Sequence, residues 1–256
     1  MIAKLAAGSG DFALRIHRVH TPQALEPGSE VVLEESTAHY LGRVLRVSVG
    51  QPIVLFNGDG YDYAAEVIRA RRRELALAVS SRLPGLPEPA LGITVVQALS
   101  RGERMDQTLQ KCTELGAAAF QPLFSDRSEL RLQGEKLERR LEHWQGVVIA
   151  ACGQCGRSRI PPVRPPLTLS GWLEQESAAI RLVLAPEAPR PLAGIELPHR
   201  VELAVGPEGG FSAAEVEQLR AGGVESVRLG PRILRTETAA PAAVAILQCL
   251  GGDLGR

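Results

Sequence analysis

The side chains able to do chemistry gather late in the chain, in two glycine-bearing loops. Gly206-Pro207-Glu208-Gly209-Gly210 follows the apolar run Val201-Glu202-Leu203-Ala204-Val205. Gly230-Pro231-Arg232-Ile233-Leu234-Arg235-Thr236-Glu237-Thr238 follows Val224-Glu225-Ser226-Val227-Arg228-Leu229. Glycines at 206, 209 and 210 let the backbone approach a flat ligand, and Pro207 stiffens the turn. In the second loop Ile233 and Leu234 are apolar residues among arginines, threonines and a glutamate, and an apolar wall with polar groups converging beside it suits a small-molecule site. Plainer readings exist: an ordinary tight turn for the first loop, and an Arg235–Glu237 surface ion pair for the second. Neither loop carries the dinucleotide fingerprint or the phosphate-binding loop, which argues against a dehydrogenase or a nucleotide hydrolase.

Both loops stand where a strand hands over to a helix. Ser212-Ala213-Ala214-Glu215 has the capping-box spacing that opens a helix, and Gly222-Gly223 closes it. Thr238 is the expected cap of a helix over 239–250, with Pro241 in its first turn where no donor is needed. Ligands of open α/β sheets bind beyond the carboxyl ends of the strands, so two such loops point to one site.

The elements upstream fit that frame. Gly92 to Leu99 is an almost continuous apolar run, as in a parallel strand buried on both faces. A helix follows over 103–115, with Met105, Leu109 and Cys112 on one stripe. Residues 117–124 read as a strand, 135–151 as a helix with Leu137, Leu141, Trp144 and Val148 inward, 154–166 as loop, and 181–185 as a strand. Before residue 84 the texture differs. Short strands at 13–19, 30–34, 52–56, 61–68 and 75–79, a helix capped by Ser36 with Leu41, Val44 and Leu45 on one face, and the turn Asn57-Gly58-Asp59-Gly60 describe a small β-barrel. The expected organisation is a leader over 1–12, a barrel over 13–83, a proline-rich linker over 84–90 and an α/β domain over 91–256.

Composition narrows the class. The chain has 256 residues, 45% hydrophobic and 23% charged, enough for a sizeable core and against wholesale disorder. No apolar run approaches the roughly 18 residues of a membrane span, and residues 1–12 do not read as a secretory signal, so a cytoplasmic protein is expected. The 29 basic and 29 acidic residues cancel. Distribution says more: Arg15, Arg18, Arg43, Arg46, Arg69 and Arg71-Arg72-Arg73 crowd the first 75 positions, where arginine forks would suit phosphate or simply solvate a barrel face. Of four cysteines, Cys152 and Cys155 share a C-x-x-C spacing with no second ligand pair, so no metal is expected. Cys112 and Cys249 read as small core hydrophobes.

The two late loops, with Arg101-Gly102-Glu103-Arg104-Met105 through Lys111 and Glu114-Leu115-Gly116, Gln154-Cys155-Gly156-Arg157, and His39-Tyr40-Leu41-Gly42-Arg43-Val44-Leu45-Arg46, resemble the blocks of the RsmE family of ribosomal RNA methyltransferases, members of the SPOUT superfamily. The resemblance covers residues 15–253. It implies a PUA-like RNA-binding β-barrel followed by an α/β, parallel-sheet SPOUT methyltransferase domain with a carboxyl-terminal trefoil knot. It further implies S-adenosylmethionine as cofactor, a homodimer, no metal, no membrane, and methylation at N3 of one uridine of the 16S rRNA in the small ribosomal subunit.

That chemistry requires loss of the N3 proton and stabilisation of charge on the carbonyl oxygens. The resemblance makes Arg157 and Arg235 the candidate stabilisers and Glu208 or Glu237 the candidate base. It assigns the cofactor to Leu184, Gly206, Pro207, Gly209, Leu229, Gly230, Ile233, Leu234 and Thr236. RNA phosphates fall to Arg15, His17, Arg18, Arg43 and Arg46. Two departures stand out: Arg101 replaces the usual lysine, and Gly153 replaces the glutamate that usually precedes the Gln-x-x-Arg block. The second opens an alternative, a catalytically weakened RNA-binding ribosome-assembly factor of the same fold.

Overall fold

The computed structural model describes residues 16–255 apart from 40, 42–45, 72–73 and 129–131. Expectations for Arg15, Arg43, Val44, Leu45, Arg72 and Arg73 lie outside the described residues. The chain divides into two compact units, one reaching to Leu86 and including Gly156–Arg159, the other comprising Pro87–Cys155 and Ile160 onward.

The first unit is a five-stranded sheet of β1 (His17–His20), β2 (Glu30–Val32), β3 (Pro52–Phe56), β4 (Tyr61–Arg71) and β5 (Glu74–Pro84), with α1 (Glu35–His39). The spatial order is β1-β3-β4-β5-β2. β1 lies parallel to β3 and the remaining pairs are antiparallel. Tyr63, Ala65 and Val67 alternate inward along β4 and meet Val31, Ile53, Leu55, Leu75, Leu77 and Val79 in one core. The β3–β4 turn is built as its sequence suggests. Gly58 and Gly60 hold positive φ, Asn57 Oδ1 accepts from Asp59 N, and Asp59 Oδ1 accepts from Tyr61 N. Three expectations shift. Ser36 lies inside α1 rather than capping it, because α1 begins at Glu35. β4 and β5 run longer than their apolar cores. β5 takes in Pro84, tolerated because it is the last residue of the strand.

The second unit carries a seven-stranded sheet. Its strands are β6 (Gly92–Ala98), β7 (Ala119–Phe124), β8 (Leu167–Thr168), β9 (Ile180–Leu184), β10 (Arg190–Pro191), β11 (Arg200–Val205) and β12 (Glu225–Arg228), in the order β10-β12-β9-β11-β6-β7-β8. Every pairing is parallel. The helices are α2 (Arg104–Glu114), α3 (Gly134–Cys155), α4 (Leu169–Leu173), α5 (Ala213–Ala221) and α6 (Thr236–Gly251). α2 packs against both α3 and α6, and α4 packs against α5. Val96, Leu123, Val183 and Ala204 form one core with Leu169, Trp172 and Leu219, while Val95 and Leu203, equally buried, alternate to the other face. Burial on both faces is why β6 reads as an unbroken apolar run.

Some boundaries differ from expectation. α3 continues through Gly153, Gln154 and Cys155, so the block expected to be loop begins as the last helical turn. Cys112 is fully buried and its thiol pKa is pushed up by burial, whereas Cys249 is exposed and no core residue: it sits on the outward side of α6. Among the described residues no helix is long and apolar enough to cross a membrane, and no group of metal-ligating side chains occurs.

Candidate functional site

Because the sheet is parallel, β12, β9, β11 and β6 end side by side on one edge. The segments leaving those ends enclose a cavity of about 620 Å³. Its walls come from Leu184 at the end of β9 and Pro186 beyond it, the 206–211 turn after β11, and Leu229 to Glu237 after β12. It lies within the size range of small-ligand sites.

The first loop is a bare-backbone wall. A Cβ added to Gly206 would lie 3.3 Å from Gly210 Cα and from Phe211, so a side chain there would crowd the turn. Gly210 adopts φ 66°, and its N–H closes the turn onto Pro207 O at 2.8 Å. The capping box forms as its spacing demands: Ser212 Oγ accepts from Glu215 N, and Glu215 Oε2 accepts from Ser212 N at 2.7 Å. Glu215 is buried and reaches further. Its Oε1 accepts from Asp126 N at 2.9 Å and its Oε2 from Ser125 Oγ at 3.2 Å. Arg127 Nη1 donates to Gly209 O at 2.7 Å, and Ser212 Oγ meets Asp126 Oδ2 at 2.6 Å. The loop after β7 thus clamps the loop after β11.

The second loop exposes Ile233, 85% accessible, and turns into α6 three residues earlier than a Thr238 cap would set it. Arg235, in extended backbone, is the N-cap, and its carbonyl accepts from Thr238 N and Ala239 N. Thr238 is therefore the third helical residue and not the cap. Pro241 lies inside α6, which omits the helical hydrogen bond that Glu237 O would receive. Thr236 Oγ1 donates to Gly206 O at 3.0 Å and ties the two loops together.

Most of the expected ligand residues meet here. Leu184, Gly206, Pro207, Leu229, Gly230, Ile233, Leu234 and Thr236 line the cavity, as do Glu208, Arg235 and Glu237. Gly209 is a correction: it does not line the cavity, and its carbonyl is taken by Arg127. Arg235 and Glu237 do not pair. The cation that reaches both carboxylates is Arg104, the first residue of α2, with Nη1 2.7 Å from Glu208 Oε1 and Nε 3.9 Å from Glu237 Oε2. In the sequence Arg104 stands in a family block with no role attached to it. The available signal was its position, since α2 also begins beyond a strand of the same parallel sheet. Glu237 Oε2 is buried and receives no hydrogen bond.

Arg157 belongs to the first unit and is buried there. Its carbonyl accepts from Arg18 Nη2 at 3.2 Å. Arg18 is a second correction, because its side chain is only 7% exposed and turned inward. It pairs with Asp62 Oδ1 at 2.8 Å through Nη2 and lies over the Phe56 ring, while its Nε and Nη1 are buried without a partner among the described residues, so the guanidinium is not displayed to an RNA phosphate at the surface. Ser158 Oγ donates to the same Asp62 oxygen at 2.6 Å. Burial raises the Asp62 pKa, a larger effect than the opposing ones of Ser158 and Arg18. His17 is half-buried on β1, opposite Ile53, and Arg46 is exposed.

The profile of the RNA methyltransferase domain matches residues 87–248, and that of the RNA methyltransferase PUA domain matches residues 33–80. Among solved structures, a Legionella pneumophila methyltransferase in complex with bound SAM superposes with a TM-score of 0.91 at 36% identity, covering 94% of this chain and all of that one. The ribosomal RNA small subunit methyltransferase E of Neisseria gonorrhoeae, bound to S-adenosyl methionine, gives 0.89 at 37% identity over 93% of this chain and 99% of that one. The protein of the same name from Buchnera aphidicola is 32% identical over 94% of this chain and 98% of its own length. With both profiles matched in order and relatives aligned almost end to end, the chain belongs to the RsmE family of ribosomal RNA small subunit methyltransferases, of the SPOUT superfamily.

Proposed function

We propose that this protein transfers a methyl group from S-adenosylmethionine to N3 of a uridine in the 16S rRNA of the small ribosomal subunit. The observation that carries the reading is the cavity at the strand ends, in which bare glycine backbone and apolar walls stand beside a buried carboxylate oxygen lacking a donor. These features fit the cofactor: a flat base needs close backbone and apolar contact, and a cationic ligand suits a site holding Glu208 and Glu237. Leu184, Gly206, Pro207, Leu229, Gly230, Ile233, Leu234 and Thr236 would hold it. When bound, S-adenosylmethionine supplies a methyl group on a positively charged sulfur.

The chain's own residues then have distinct tasks. The uridine N3–H has a pKa above neutrality, so its proton must be accepted as the nitrogen reacts. Glu237 is the better-placed acceptor, because Oε2 has no hydrogen-bond partner while Glu208 is already engaged by Arg104 at 2.7 Å. Arg235, exposed at the cavity rim, is the cation assigned to the charge spreading onto the uracil carbonyls, and the same role for Arg157 rests on the family resemblance of its block alone. His17 and Arg46, with Arg15 and Arg43, are assigned to RNA phosphates, which position the substrate without reading it. A knotted carboxyl-terminal chain, a homodimer and action in the cytoplasm belong to the same reading and are supported by family membership.

The test is transfer of labelled methyl to small subunits lacking the modification, followed by nucleoside analysis. N3-methyluridine is the expected product. RNA binding without transfer would replace the proposal with the assembly-factor alternative that Gly153 raises, and label on another nucleoside would overturn the N3 assignment.

A further inference from the structure

Gln97 lies on β6, one residue before its end, 1% exposed and absent from the cavity wall. Its Nε2 donates to Thr236 Oγ1 at 2.9 Å and to Ala98 O at 3.1 Å. A backbone carbonyl can only accept, so Ala98 O fixes which way round the amide sits, and both amide hydrogens are then spent. Thr236 Oγ1 must accept from Gln97, and its own hydrogen is directed to Gly206 O at 3.0 Å. The three groups form a chain with one polarity, from amide to hydroxyl to carbonyl. It runs from the sheet through the first residue of α6 to the first residue of the glycine turn.

The rest of Gln97 shows that this chain is not there to stabilise the fold. Gln97 Oε1 is buried without a partner, which is a cost that a methionine of similar shape would not carry. Thr236 likewise spends its hydroxyl on Gly206 and not on a helix cap, and the Arg235 side chain makes no cap bond. What the chain achieves is a fixed orientation of the Gly206 carbonyl, hence of the peptide that begins the ligand turn. We infer that Gln97 is a positioning residue for cofactor binding, acting through Thr236 on Gly206. The inference rests on reading the cavity as the S-adenosylmethionine site.

The experiment is calorimetric titration of S-adenosylmethionine into the full-length protein and its Gln97→Met variant, with thermal unfolding of each. The expected result is about a tenfold weaker Kd, equivalent to ~1.4 kcal/mol, with a Tm unchanged or raised. A structural role would instead lower Tm and leave the Kd of the folded fraction alone. Gln97→Leu removes the same amide and serves if Gln97→Met does not fold, and in a Thr236→Val background, where the chain is already broken, Gln97→Met should weaken the Kd little further. Wild type that fails to bind S-adenosylmethionine overturns the reading of the cavity. Wild type that binds, with a folded Gln97→Met variant within twofold of it, overturns the role of Gln97 alone.

Discussion

Glu215 is the carboxylate on which the first ligand loop hangs, and its removal has a calculable effect. It is 4% exposed, and its two oxygens receive Ser212 N at 2.7 Å, Asp126 N at 2.9 Å and Ser125 Oγ at 3.2 Å. The Ser125 hydroxyl can rotate to water, but the two amides cannot. Losing the capping box costs about 1 kcal/mol, and the charge-assisted bond to Asp126 N about 1.5–3 kcal/mol. Glu215→Ala should therefore destabilise the second unit by about 3 kcal/mol. Glu215→Gln keeps the shape and one acceptor but turns an NH2 toward a donor, for about 2 kcal/mol. Both tryptophans of the chain, Trp144 and Trp172, are buried in the second unit, so their fluorescence during urea unfolding reports on this unit. At an m-value of about 3 kcal/mol/M the midpoint should fall by about 1 M for alanine and ~0.7 M for glutamine. A glutamine variant that unfolds at the wild-type midpoint would refute the claim that one ionised oxygen pair joins the two loops.

Three further outcomes follow from geometry already described. Arg104→Gln should lower methyl transfer about tenfold by releasing Glu208 and Glu237, yet cost only ~0.2–1 kcal/mol in urea because the Arg104–Glu208 pair is two-fifths exposed; a large stability loss with unchanged turnover would assign it to the fold instead. Gly85→Ala would put a Cβ 2.5 Å from both Gly60 O and Ser158 Oγ, so the 156–159 segment should show faster hydrogen exchange, and the overpacking should cost about 1–3 kcal/mol. Burial raises the Asp62 pKa, so the folded state holds that proton to higher pH than the unfolded chain. Its contribution to stability is fully present below the ordinary value of 3.8 and is lost as pH rises through the folded pKa. Urea midpoints of Asp62→Asn minus wild type should therefore increase over that window and level off above it, and a decrease would show the Arg18 pair outweighing desolvation.

Local features were the legible ones. The Ser212–Glu215 box, the Asn57–Gly60 turn and the doubly buried run of β6 depend on neighbours within a few residues, and the structure has them. Thr238 fails as the cap because Pro241 does not require the first turn: α6 starts at Thr236 and carries the proline in its interior. Arg104 and Gln97 escaped for a different reason. Their partners lie 104 and 139 residues away and become neighbours only once β6 docks beside β11. Arg18 shows the limit of residue type: an arginine on a strand with basic neighbours suggests phosphate, but whether it faces out is settled by Asp62 and Ser158, 44 and 140 residues away.

The assignment of Gly156–Arg159 to the first unit bears on how the protein is made. A unit that borrows four residues from beyond position 155 is not finished when its own strands leave the ribosome. Until Ser158 is synthesised, Asp62 and Arg18 lack the hydroxyl and the carbonyl that complete their cluster. At roughly 5–20 residues per second, the stretch between Leu86 and Arg159 takes about 4 to 15 s to translate. For that interval the amino-terminal sheet waits with a buried charge pair half provided for, and all of α2, β7 and α3 must emerge before it can close. Amino-terminal-first folding, the usual order for a two-unit chain, is thereby converted into an order in which the earlier unit is completed by the later one.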